Sequence, residues 1–410
     1  AIAMVENETT APLIHSTARN AVGRAMAPCY VFAMQGNIPF RADQVGSLLR
    51  PEKLKAAREK FLGPQTPTSA LGPHQSDDLR QVEDECIREV IAMQKRVGLC
   101  AHTDGEFRRR SWWLELIMGW EGFAADRTGS ARLAWRNESG KTQGFSDLHV
   151  VGKIKWRPSS VVRAFEFLKA NTRAVPKVTL PAPNCVHYFT HGNLGAYKDA
   201  DEFWFDLVAA YRKEISELVK AGARYIQFDD TSIAFICDPE HRDFIRSWGV
   251  DPDRLLDIYV SKINDAVAEV PDDVTVTLHQ CRGNREGSWA AEGGYDPVAD
   301  VLLNKADVDG YFLEYDTARA GGFQPLRYLP KGKKRVVLGL VTTKSGQLES
   351  KDELIKKIED ASRYAPLEQL ALSPQCGFAS SIKGNPLTHA DQEAKLRRIV
   401  EVAGEVWGDE

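Results

Sequence analysis

The stretch Leu278-His279-Gln280-Cys281-Arg282-Gly283-Asn284 sets an imidazole and a thiol two residues apart. The preceding Val274-Thr275-Val276-Thr277 alternates β-branched residues in the manner of a strand. Side chains repeat every two residues along a strand, so Thr275, Thr277, His279 and Cys281 are expected on one face. Gly283-Asn284 then turns the chain. Thiolate with imidazole is half of a soft metal site and suits zinc. Taken alone, an H-x-C triplet more often means a buried thiol beside a satisfied histidine. Two more candidates follow strand-like runs: Glu314 ends Tyr311-Phe312-Leu313, and Cys376 lies in Ser373-Pro374-Gln375-Cys376-Gly377. A rim salt bridge and a packed loop thiol are the plainer meanings of each by itself. One His, two Cys and one Glu on a common rim would supply the tetrahedral ligand number of zinc.

Two thiolates and a carboxylate outweigh a +2 charge by one, which makes such a zinc a poor activator of water. It is better suited to binding an incoming thiol, removing its proton and leaving a nucleophilic thiolate. A free thiol has a pKa near ~8.5, so the gain is the thiolate at neutral pH. The carboxylate is the hardest of the four ligands and the one expected to yield to substrate sulfur. This chemistry is alkyl transfer onto a thiol.

Something must hold these residues on one rim. From Arg41 onward strand and helix signals alternate, with strand candidates near 42–47, 101–107, 177–180, 225–230, 274–281, 309–314, 335–340 and 369–372. Helices are expected from Pro51, over 76–97 with Ser76 as cap, and over 159–170, 199–221, 253–269 and 388–407. Residues 130–157 read as a hairpin excursion. Eight βα units predict an α/β protein, a (β/α)8 TIM barrel with a hairpin excursion after the second strand. An open doubly wound sheet is the alternative, and the absence of GxGxxG and GxxxxGK[ST] weakens its nucleotide-binding form. In a barrel the chemistry collects at the carboxyl ends of the strands. Those ends carry Ser47, Glu106, Asn184, Asp229 with Asp230, His279 with Cys281, Glu314, Lys344 and Cys376.

Composition agrees with a large soluble enzyme. The 410 residues carry a formal charge of −4 and 43% hydrophobic residues, without a basic stripe or a long apolar span. A nucleic-acid or membrane partner is therefore not expected. Seven scattered cysteines do not make a secreted disulfide scaffold, so a reducing, cytoplasmic setting is expected. Cys86 and Cys100 read as core packing. Residues 1–40 lack periodicity and read as a loosely ordered N-terminal tail, leaving 41–410 as a zinc-binding catalytic barrel.

Val45-Gly46-Ser47, Asp104-Gly105-Glu106-Phe107, Gln227-Phe228-Asp229, His279-Gln280-Cys281, Glu314 and Pro374-Gln375-Cys376-Gly377 together resemble the catalytic C-terminal barrel of cobalamin-independent methionine synthases, and more closely their short single-barrel relatives. The resemblance spans residues 41–380. It implies one zinc ion per chain on His279, Cys281, Glu314 and Cys376. It further implies homocysteine as methyl acceptor, its carboxylate at Ser47 and its ammonium between Glu106 and Asp229. The implied donor is 5-methyltetrahydrofolate or its polyglutamate, and the product is methionine.

The sequence departs from the long enzymes on the donor side. The tryptophan they carry after the third strand is replaced by Cys185-Val186-His187-Tyr188, and their proton-donating histidine after the seventh by Thr342-Thr343-Lys344-Ser345. Lys344, as the catalytic acid, and His187 are thus expected to line the donor side. The N-terminal barrel of the long enzymes has no counterpart in these residues. Related zinc barrels open epoxides with a sulfonate-bearing thiol, and a zinc barrel could also be an idle binding module. Glu106 and Asp229 favour the amino-acid thiol over both.

Overall fold

The computed structural model describes residues 38–63, 76–125, 134–144 and 148–408. The tail proposed for residues 1–40 therefore lies outside the described residues up to 37. Its last residue does not belong to a tail: Phe40 is buried and packs into the barrel floor.

β1 (Ala101–His102) is followed by an excursion of four strands: β2 (Glu121–Ala125), β3 (Ala134–Asn137), β4 (Gly140–Gly144) and β5 (Leu148–Lys155). β6 (Val175–Pro181), β7 (Tyr225–Asp230), β8 (Thr275–Gln280), β9 (Gly310–Glu314), β10 (Arg335–Val341) and β11 (Leu370–Pro374) then pair in parallel in sequence order, with β1 beside β6. Residues 41–48 supply the eighth stave. Asp43 N donates to Leu372 O at 3.1 Å on one side, and Leu48 N donates to Gly105 O at 3.1 Å on the other. The ring is a curled parallel sheet with helices outside, the eight-unit barrel that the alternating signals predict.

Ser76 caps its helix as expected, and two further helices carry side-chain caps of the same kind. Ser76 accepts from Leu79 N at the head of Asp77–Val97, Ser159 caps Ser160–Asn171, and Asp199 caps Ala200–Ala221. Gly98 ends the first of these helices in the left-handed conformation, φ 94°. None of the helices among the described residues is long and apolar enough to cross a membrane.

Strand alternation sorts the barrel lumen. Val175, Tyr225, Phe312, Val337 and Ala371 form a small interior cluster with Phe40 and Val45, while Val276, Leu278 and Leu338 belong to the larger core shared with the helices. One ion pair crosses this interior. Lys177 Nζ donates to Asp43 Oδ1 at 3.1 Å and to Gln44 O at 2.6 Å, and Tyr225 donates its hydroxyl to Asp43 Oδ2 at 2.8 Å. The ammonium also lies 4.0 Å from the Phe312 ring centroid. Both charged side chains are fully buried. Lys177→Met would leave Asp43 uncompensated in the floor, and the expected loss is about 3–5 kcal/mol of unfolding free energy by urea denaturation. A loss below about 1 kcal/mol would show that the pair does not brace the first stave.

The excursion is larger than the expected hairpin. β3 and β4 make a hairpin, but β2 and β5 form a second antiparallel ribbon beneath it. Its outer end folds back over the barrel mouth: Arg136 N donates to Trp289 O at 2.7 Å and Trp289 N to Arg136 O at 2.9 Å. Ion pairs from Arg136 to Asp238 at 3.1 Å and to Glu240 at 2.6 Å hold it there.

Candidate active site and metal centre

His279, one residue before the end of β8, faces the lumen as its alternation requires, and Cys281 follows where the chain leaves the strand. Gly283, at φ 95°, allows the turn; a Cβ there would lie 2.7 Å from Ala290 N. Asn284 ties this loop to the one after β11, donating to Gly377 O at 2.6 Å while its own carbonyl accepts from Asn385 at 2.8 Å. The two loops thereby bring Cys281 and Cys376 together, with their sulfurs 3.3 Å apart. Cys281 donates to Cys376 across this gap. Cys376 is shifted well below the usual thiol value by the hydrogen bond from Cys281, and that bond together with burial shifts Cys281 well above it.

The ligand atoms of His279, Cys281 and Cys376 all lie within 4.8 Å of one another. His279 is 2% exposed, yet neither of its ring nitrogens has a hydrogen-bond partner. An imidazole buried without partners is costly. Coordination would remove that cost, and a donor set of two thiols and one imidazole fits a zinc-like ion with a position left open.

Glu314, the expected fourth ligand, lies outside this group. Its Oε2 accepts from Arg282 N at 2.9 Å, and its Oε1 lies 3.8 Å from Arg319 and 3.9 Å from Lys344 Nζ. The carboxylate is fully buried among these donors.

The barrel mouth above the three residues is an open cleft. Ser47, Glu106, Asp229, His279, Cys281 and Cys376 all line it. Glu106 is held in the left-handed region, φ 61°, by Asp104, whose Oδ1 accepts from Glu106 N at 2.9 Å. That tight turn limits β1 to two paired residues, where the sequence suggests a strand running to 107. Thr179 donates to Glu106 Oε1 at 2.9 Å, but Oε2 is buried without a partner. Burial raises the Glu106 carboxyl, with Arg109 and Arg50 opposing. Burial also pushes Asp229 up to about 7, with His279 opposing and the Glu106 charge adding. The Glu106 charge thus adds to burial in raising Asp229, a like-charge effect that a bound cation would relieve.

The donor-side expectations are corrected. His187 does not line the cleft. It sits on the helix Pro183–Phe189, stacked on Trp204 at 5.0 Å and hydrogen-bonded to the Tyr259 hydroxyl at 3.0 Å, where burial lowers its pKa to about 4. Lys344 is absent from the lining as well; its buried ammonium lies 3.9 Å from Glu314 Oε1, and against the lowering by burial that carboxylate leads the charges that raise its pKa. Cys185, two residues before His187, is a structural anchor that accepts from Thr231 N at 3.2 Å. The sequence reading missed the aromatic lining: Trp112, Trp113, Trp135, Phe189 and Phe235. The adjacent tryptophans just past β1 were the available signal.

Comparison with known proteins agrees with this architecture. A family model described as the catalytic domain of cobalamin-independent synthase matches residues 190–405. The Bacillus subtilis protein YxjH is 41% identical over 378 residues, covering 91% of this chain and 96% of its own length. The methionine synthase of Saccharolobus solfataricus is 25% identical, covering 78% and 85%. Among solved structures, the putative vitamin-B12 independent methionine synthase of Listeria monocytogenes superposes with a TM-score of 0.68 at 34% identity, over 90% of this chain and 98% of its own. The B12-independent methionine synthase of Shewanella sp. W3-18-1 shares the fold at 19% identity, with a TM-score of 0.64, over 88% and 96%.

Proposed function

The chain belongs to the cobalamin-independent methionine synthase family, and from that premise we propose that it transfers a methyl group to the thiol of homocysteine, using one zinc ion held by His279, Cys281 and Cys376 with Glu314 near the fourth position. Bound there, zinc would supply the Lewis acidity that keeps a thiol, with a free pKa near ~8.5, as thiolate at neutral pH. Glu106 and Asp229 take the ammonium, and Ser47 takes the carboxylate. Asn284 keeps the two cysteine-bearing loops in register.

The observation that carries the acceptor is Glu106 Oε2, buried and unpaired on the cleft wall with Asp229 on the same cleft. A simple alkyl thiol, or one bearing a sulfonate, leaves this oxygen orphaned; an amino-acid thiol satisfies it through a charge-assisted bond. The same feature argues against an idle binding barrel, which needs no carboxylate pair. The family's folate donor leaves as an amine and needs a proton there. Of the groups expected to serve that side, His187 packs on Trp204 and Lys344 Nζ lies 3.9 Å from Glu314 Oε1.

In this reading residues 41–410 are the catalytic unit, working where thiols stay reduced, as in cytoplasm. Removal of residues 1–33 should leave turnover unchanged. The test of the function is product analysis by mass spectrometry, with the zinc-loaded chain, homocysteine and a panel of methyl donors. Methionine is the expected product; methylation of ethanethiol with no methionine from any donor would refute the acceptor.

Gly377 offers a local check on Ser47. A Cβ at Gly377 would fall 1.9 Å from Ser47 Oγ. Gly377→Ala should displace that hydroxyl and raise the KM for homocysteine about tenfold or more, with zinc retained. An unchanged KM would remove Ser47 from the carboxylate site.

A further inference from the structure

The lining of the cleft outside the thiol site is aromatic and its charge is mainly negative. Trp112 meets Phe189 at 6.1 Å and 68°, and Trp113 meets the same ring at 5.0 Å and 37°. Phe189 thus packs edge-on to Trp112 and tilted to Trp113, and all three rings line the cleft, an aromatic corner of the kind whose π faces attract a compact cation. Three carboxylates line the cleft, Glu106, Asp229 and Asp230, against one guanidinium among the described lining residues, Arg285. Arg285 is itself turned to Glu286 at 3.8 Å and lies 6.0 Å from the Trp135 ring.

The same lining is poor in proton donors. Glu106 and Asp229 face the amino-acid ammonium in the acceptor reading. Asp230 is already engaged by Ser232 N at 2.7 Å, the Ser232 hydroxyl at 2.8 Å and Gln280 at 2.7 Å. His279 belongs to the metal-binding set. A donor whose leaving atom must be protonated therefore finds no free acid among the described residues of the cleft. A donor that arrives with a positive charge and departs neutral needs none, and the carboxylates and ring faces favour its charge on arrival.

Resting on the homocysteine reading above, we propose that the methyl donor of this chain is a sulfonium compound, held in the corner formed by Trp112, Trp113 and Phe189. The homocysteine thiolate attacks the methyl carbon, forming the new S–CH3 bond. The donor's C–S bond breaks, its electron pair stays on the departing sulfur, and a neutral thioether leaves. The thiol proton has already passed to solvent on binding, so atoms and charge balance without a further acid.

The experiment uses the zinc-loaded full chain with homocysteine and, in separate reactions, trimethylsulfonium, S-methylmethionine, glycine betaine, and 5-methyltetrahydrofolate as mono- and triglutamate. At least one sulfonium should give methionine more than about tenfold faster than betaine or either folate. Trp113→Leu should raise the KM for that sulfonium about tenfold, within the range of a desolvated cation–π contact, and Trp113→Phe should recover part of the loss. Homocysteine affinity, measured by calorimetry, should be the same in all three proteins. Faster transfer from a folate or from betaine, or a donor KM indifferent to Trp113→Leu, overturns the sulfonium. Homocysteine bound with no transfer from either sulfonium overturns the donor alone, whereas failure to bind homocysteine overturns the acceptor reading on which it rests.

Discussion

Cys281→Ser and Cys376→Ser should each lose most of the bound zinc, because a hydroxyl is a much poorer ligand than a thiolate. Changes to residues that merely orient ligands cost about 10–100-fold in metal affinity, so removal of a direct ligand should exceed about a hundredfold. The measurement is zinc content by mass spectrometry after dialysis against a weak chelator. The sulfurs stand 3.3 Å apart beside an imidazole without partners, so the loss of either leaves only two good donors. Glu314→Gln should be milder, because that carboxylate is already engaged by Arg282 N and lies near two cations. Chelation of the wild type should also lower its melting temperature, since an ion at a hundred times its dissociation constant stabilises by about 2.7 kcal/mol. Full metal retention in both serine variants would remove the centre from the account.

The second large effect is selectivity among thiols. Asp229→Asn and Glu106→Gln should each weaken homocysteine by about 1.5–3 kcal/mol, a charge-assisted contact to ammonium, or roughly 10–150-fold. Ethanethiol, which has no ammonium, should be nearly unaffected. Glu106→Gln tests the point most sharply, because its Oε2 is the buried atom without a partner. Competition binding against a thiol-reactive probe reads both affinities in one experiment. Equal losses for the two thiols would assign these carboxylates to the metal or to the fold.

Much of this site was legible because strand periodicity is local. The alternation through Thr275, Thr277 and His279 fixes which side of β8 faces the lumen, whatever the rest of the chain does. Cys376 was legible as a loop thiol after the last strand, and the caps at Ser76, Ser159 and Asp199 follow from short-range hydrogen bonding. His187 was not, because a helix starts at Pro183 directly after β6 and its turn decides which residues face inward. That turn sends His187 to Trp204 and Tyr259, a direction no strand pattern encodes. The surroundings of Lys344 were hidden for a related reason: a buried ammonium goes to the nearest available carboxylate, and the proximity of Glu314 is a property of the folded rim. Trp135 enters the cleft only because Arg136 pairs with Trp289, more than a hundred positions away in sequence. Contacts of that range lie beyond pattern reading, while the staves that carry the chemistry do not.

The most direct test of the central claim is X-ray absorption at the zinc edge, with and without homocysteine. The account predicts that the zinc-loaded chain shows two sulfur neighbours, from Cys281 and Cys376, and that homocysteine adds a third at the expense of a lighter atom. The spectrum should not change with homoserine, which carries a hydroxyl in place of the thiol. A sulfur count unmoved by saturating homocysteine would contradict the account, leaving the metal a structural element and the methyl acceptor bound elsewhere.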